Sequence, residues 1–167
     1  MRNKQQLNTM RNIKIELKWA VIFVLMMLAW MLLERLGGFH DSRIEQHSIV
    51  TNLVAIPAIV VYVLALLDKR KNHYGGKMTY VQGLVTGLII TLFVTLVSPL
   101  TQYITTEIIT PDYFKNMIKY TVNNDIMSIE EARANFNLKS YLVQTVIGTP
   151  IMGAVTTAVV AIFTRKK

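Results

Sequence analysis

MTYVQGLVTGLIITLFVTLVSPLTQYITT, from Met78 to Thr106, runs 29 residues without a charged side chain. A helix rises ~1.5 Å per residue and the hydrocarbon core of a bilayer is ~30 Å thick, so about 20 apolar residues cross it. Three further charge-free runs flank this one: Trp19 to Leu33 (15 residues), Ser48 to Leu67 (20) and Ser140 to Thr164 (25). Every backbone polar group inside a bilayer must be bonded within its own segment, so such runs are helices. The predicted spans are 17–36, 48–67, 78–104 and 139–164, the first lengthened at its ends by Leu17, Lys18 and Leu36. The expected fold is all-α, an integral membrane four-helix bundle forming one domain over 1–167, with a helical extracytoplasmic loop over 107–138.

Charge between the runs fixes the threading. Arg2, Lys4, Arg11, Lys14 and Lys18 precede span one. Loop two carries Lys69, Arg70, Lys71 and Lys77, and the tail ends Arg165-Lys166-Lys167. These three segments have net charges of +4, +3 and +3, whereas loops one and three each sum to −1, within a total of +8. Basic short segments stay in the cytoplasm, so both termini and loop two are expected inside and loops one and three outside. The same sorting explains a pI near 9.8 by topology and anionic headgroups, and it excludes nucleic acid as a partner. Glu34-Arg35-Leu36-Gly37-Gly38-Phe39 follows the first apolar run and offers no small-residue cleavage site, so span one reads as uncleaved. Cysteine is absent, which removes disulfide, thiol and thiolate-metal chemistry.

Pro57, Pro99 and Pro150 predict a kink in each of spans two to four. Gly83-x-x-x-Gly87 in span three, and Gly148, Gly153, Ala154 and Ala158 in span four, are small-residue seams. They suit packing within the bundle, with a homodimer as the alternative. In loop three, Thr110-Pro111-Asp112 reads as a capped helix start before Tyr113, Phe114, Met117, Ile118 and Val122. Val122-Asn123-Asn124-Asp125 ends that helix, and Ser128-Ile129-Glu130-Glu131 is a capping box opening a second, about 129–136.

Polar residues within the spans are hydroxyls and amides. Thr91, Thr95, Ser98 and Gln102 share one face of span three, read as interhelical hydrogen bonding, with a solute pathway as the alternative. No span centre holds an ionisable group, which counts against proton pumps and voltage sensors. Loop one gathers Glu34, His40, Asp41, Glu45 and His47, a nitrogen and carboxylate set that suits metals. The spacing matches no metal motif, so the expectation is a solvated loop with no metal or cofactor. Glu34, His40 and His47 are the weak candidate ligands. Nucleophile elbow, phosphate loop and zincin helix are all missing, and the chain reads as a non-enzyme.

Trp30-Met31-Leu32-Leu33-Glu34 with Gly37 and His40, Asp68-Lys69-Arg70-Lys71, and Tyr74-Gly75-Gly76-Lys77-Met78-Thr79-Tyr80-Val81-Gln82-Gly83 form a signature. Loop three adds Pro111, Tyr113, Phe114, Glu130-Glu131-Ala132 and Phe136-Asn137-Leu138. Through these residues the chain resembles the uncharacterised bacterial family known as domain of unknown function 4199. The resemblance implies a four-span protein of a bacterial inner membrane and implies no activity. The expected role is that of an accessory, sensing or assembly partner in that membrane, working through loop three. The partners would be bilayer lipid and a membrane protein or a second copy of the chain. A carrier or channel for a small solute or ion is the alternative.

Overall fold

The computed structural model describes residues 13–166, so Arg2, Lys4, Arg11 and Lys167, which contribute to the charge pattern, lie outside the described residues. Seven α-helices follow in order: α1 Lys14–Leu36, α2 His47–Asn52, α3 Ala55–Asn72, α4 Tyr80–Tyr103, α5 Tyr113–Asn123, α6 Ile129–Asn135 and α7 Leu138–Thr164. A 3₁₀ turn, Ile44–Gln46, precedes α2, and a π-helical turn, Ile104–Ile109, continues α4. Four segments are long and apolar enough to cross a membrane: Lys14–Leu36, Ile44–Asn72, Tyr80–Ile109 and Leu138–Thr164. The all-α membrane bundle expected from the charge-free runs is therefore present.

The spans close a ring in which α1 packs on α3 and α4, and α7 packs on the same two. The α4–α7 pair is the most extensive. Gly83 and Gly87 face this seam: a Cβ at Gly83 would stand 3.3 Å from the Ala161 methyl, and one at Gly87 would collide with Thr157. Gly153 of α7 meets Thr91 in the same way. The glycine face is thus spent inside the bundle, where small residues let two backbones approach. Leu25, Val85, Leu92, Leu96 and Val155 point outward at half exposure or more, as lipid-facing side chains do.

Two sequence expectations shift in detail. Span two breaks at Leu53–Val54, one turn before Pro57, because the proline ring has no N–H for the Leu53 carbonyl. Ile56 N–H takes that carbonyl instead, at 3.0 Å. In α4 the carbonyl of Thr95, which Pro99 cannot serve, accepts from Ser98 Oγ at 2.8 Å. The hydroxyl stripe is the second case. Thr91 Oγ1 donates to Gly87, Thr95 to Thr91 and Thr101 to Ser98, so these hydroxyls bond back to their own helix. Interhelical bonds on this face are Tyr62 with Thr91 at 2.8 Å and Thr145 to Gln102 at 3.0 Å.

Loops one and three meet at one end of the bundle, hereafter the cap end. The start of α1, loop two and the end of α7 meet at the other, the terminal end. There Met78 and Lys166 exchange backbone hydrogen bonds at 2.8 Å, Arg70 donates to the Thr164 carbonyl at 2.8 Å, and Thr79 and Gln82 form a reciprocal capping box. In loop three the Ser128–Glu131 capping box forms as expected. The Thr110 cap does not: its hydroxyl donates back to the Thr105 carbonyl at 2.9 Å, and Asp112 makes no side-chain cap.

Candidate functional site

The cap end holds a buried polar cluster built from five segments: α1, loop one, α2, α5 and α7. It begins where α1 stops. Gly38 N–H bonds to the Arg35 carbonyl and Phe39 N–H to the Glu34 carbonyl, both at 3.0 Å, with Gly38 at φ +78°. This is a Schellman turn, and the left-handed residue is a glycine because a Cβ there is strained. The turn reverses the chain and returns His40 onto Glu34, one turn back along α1. Ile44 then buries itself in the 3₁₀ turn, and His47 opens α2 beside the same acid.

Within the expected solvated loop, Arg35, Asp41, Ser42, Arg43 and Glu45 are exposed, but Glu34, His40 and Ile44 are buried. Glu34 is 1 % exposed and His40 5 %. His40 Nε2 lies 3.0 Å from Glu34 Oε2, and His47 Nδ1 lies 3.3 Å from that same oxygen. The other carboxylate oxygen, Oε1, accepts from the Trp30 indole. Burying a carboxylate is costly unless it is paired and hydrogen-bonded; Trp30 and His40 supply hydrogen bonds, and His47 stands beside the same oxygen as His40. Asp41 and Glu45 are not drawn in; both are exposed.

Loop three closes the cluster. Tyr113 of α5 is buried, and its hydroxyl meets His47 Nε2 at 2.9 Å and the Tyr141 hydroxyl of α7 at 3.2 Å. Burial, with Tyr141 and Glu34 close by, pushes the Tyr113 phenol far above its ordinary range, so it stays protonated and can both donate and accept. Its ring packs against His40 and His47 at centroid distances of 5.2 and 4.9 Å. Asn116, one turn on, donates to the His40 carbonyl at 2.9 Å, and Arg35 donates to the Ile109 carbonyl. An open cleft of ≈ 290 Å³ leads from the surface to His40, between Arg35, Asp41, Asp112, Lys115 and Asn116.

Glu34, His40 and His47 are the three weak ligand candidates of the sequence, and the fold brings them together. Their ligand atoms lie within 4.8 Å of one another. Trp30, Tyr113, Asn116 and Tyr141 were not singled out for the site. Trp30 and Tyr113 enter the sequence reading through the family signature, and Tyr113 also as a residue of the helix that follows Thr110.

A family model described as a protein of unknown function, DUF4199, matches residues 18–166. The chain belongs to that family. No curated protein and no solved structure matches it. The family signature read from the sequence divides between the two ends of the bundle. Trp30, Glu34, Gly37, His40, Tyr113 and Phe114 fall in or against the cap cluster. Asp68, Lys69, Arg70, Met78, Thr79 and Gln82 fall in the ties of the terminal end.

Proposed function

We propose that this DUF4199 protein is a non-enzymatic protein of the bacterial inner membrane, with both termini cytoplasmic. It acts as a sensing or assembly partner through its cap end, which faces the periplasm. The observation that carries this reading is the way loop three is fastened. Tyr113 bonds to His47, Asn116 to the His40 carbonyl, and the Ile109 carbonyl accepts from Arg35 at the end of α1, so α5 and α6 are held as a formed surface. Lys119, Asn123, Asn124, Glu130 and Glu131 stand exposed on that surface.

The carrier reading is weaker because the hydroxyl face of α4 is bonded to its own backbone, leaving few donors for a passing solute. Support for a non-enzyme comes from the sequence, which offers no nucleophile elbow, phosphate loop or zincin helix.

A photo-crosslinking residue at Lys119 or Glu130 tests the proposal in native membranes. The expected result is a discrete protein adduct that the same residue at Val85 or Leu92, on the lipid-facing surface, does not give. Identical patterns from both surfaces, together with an unchanged phenotype on deleting 111–136, would overturn it.

A further inference from the structure

The cap cluster has a chemical peculiarity that the sensing reading leaves unused. His47 Nε2 is engaged by Tyr113, and His47 Nδ1 faces the Glu34 carboxylate at 3.3 Å without forming a hydrogen bond. His40 Nδ1 is also buried without a hydrogen-bond partner among the described residues. The tyrosine hydroxyl can donate to Nε2, which leaves Nδ1–H toward the carboxylate, or accept from it; in the second tautomer the Nδ1 lone pair faces a carboxylate oxygen. Two electron-rich atoms at that distance repel unless a cation lies between them.

We propose that Glu34, His40 and His47 form a binding site for a divalent transition cation of the Zn²⁺ class at the cap end. This deepens the sensing reading and rests on it for its biological purpose, though not for its chemistry. Two imidazoles and one carboxylate are a recurrent three-residue zinc set, which leaves one coordination position open. With metal–ligand bonds of ~2.0–2.1 Å, tetrahedral ligand atoms stand about 3.3 Å apart. The two pairs that share Glu34 Oε2 are at 3.0 and 3.3 Å. Two nitrogen ligands favour zinc-like cations over magnesium or calcium, which take oxygen.

The surroundings match the same assignment. A metal-bound histidine places its second nitrogen on a hydrogen-bond partner, and Tyr113 is placed to serve His47 in this way. The Trp30 indole steadies the other oxygen of Glu34. The cleft that reaches His40 gives the cluster a route to the surface, lined by Asp41 and Asp112 and by Arg35 and Lys115. The ligands come from the end of α1, the returning loop and the start of α2, and the outer partner comes from α5. A bound ion thus joins loop three to spans one and two, and its presence is felt at the exposed surface of α5 and α6.

Tag-free full-length protein in nanodiscs, stripped with chelator, is titrated with Zn²⁺ by calorimetry and with Co²⁺ by absorbance. The expected result is one Zn²⁺ per chain and the intense visible bands of tetrahedral Co²⁺. His40→Gln and His47→Gln each weaken binding by about 100-fold or more, and Tyr113→Phe by about 10-fold, as loss of an outer partner does. His73→Ala, at the terminal end, leaves it unchanged. Glutamine keeps hydrogen-bonding capacity and is a poor ligand. If either variant fails to fold by circular dichroism, Glu34→Gln takes its place.

Absence of saturable binding to the wild type means that the cluster holds only a proton, and overturns the proposal. Affinity retained in both histidine variants overturns it as well. Metal binding without a partner adduct upholds the site and rejects the partner reading; an adduct without metal binding does the reverse.

Discussion

At the terminal end of the bundle Glu16 and Asp68 face lysines, whereas at the cap end the buried Glu34 faces two imidazoles. Glu16, in the first turn of α1, pairs with Lys69 of α3 at 2.7 Å, and the two are 2 % and 3 % exposed. Asp68 accepts from Lys18 and, at 2.7 Å, from the Trp19 indole. These pairs tie α1 to α3 across the terminal end. Glu34 likewise takes an indole N–H, from Trp30, but its other oxygen meets two imidazoles, which are metal-ligating side chains. The difference separates a fastening from a site. The hydrophobic core lies with the fastening: Ala65, Leu66, Met78, Ile90, Val160 and Ala161 all pack toward the terminal half.

The largest expected effect breaks the fastening. Lys69→Met leaves Glu16 buried without its cation and should cost about 3–5 kcal/mol, read as a fall in the thermal midpoint in detergent. The double variant Glu16→Leu, Lys69→Met should recover most of that loss, because a buried pair is often replaceable by apolar groups. A double variant as unstable as the single one would show that the pair is not what joins α1 to α3.

A smaller pair of changes sharpens the contrast. Trp19→Phe and Trp30→Phe each remove one hydrogen bond to a charged acid, worth about 1.5–3 kcal/mol. Both should lower the midpoint by similar amounts, but only Trp30→Phe should also weaken Zn²⁺ binding in the calorimeter. Equal effects of both on zinc would erase the distinction between the two ends.

The spans, the charge sorting and the Ser128 capping box were legible because each is local: a charge-free run, a charge count, a four-residue pattern. The seam of Gly83 and Gly87 was legible as a seam, and the structure assigns it to α7. What could not be read are pairings across long separations. Glu16 and Lys69 are 53 residues apart, and each registers in sequence only as a flanking charge. His47 and Tyr113 are 66 apart. Nothing local tells that a Schellman turn at Gly37-Gly38 folds loop one back onto α1, so Glu34 and His40 read as solvated when they are buried. Thr110 misled for a related reason. Its hydroxyl had two acceptable uses, and the π-helical turn before it offered the Thr105 carbonyl first.

The central claim is that the cap end, with its Glu34–His40–His47 cluster, faces out of the cytoplasm. A cysteine at Asn123 of α5 and one at Asn72, at the end of α3, report on the two ends, since both positions are exposed and the chain has no cysteine of its own. In intact spheroplasts an impermeant maleimide should label position 123 fully. It should reach position 72 only after the membrane is broken, because the basic segments stay inside. Labelling of position 72 in intact cells, with position 123 protected, would contradict the account by placing the cluster in the cytoplasm.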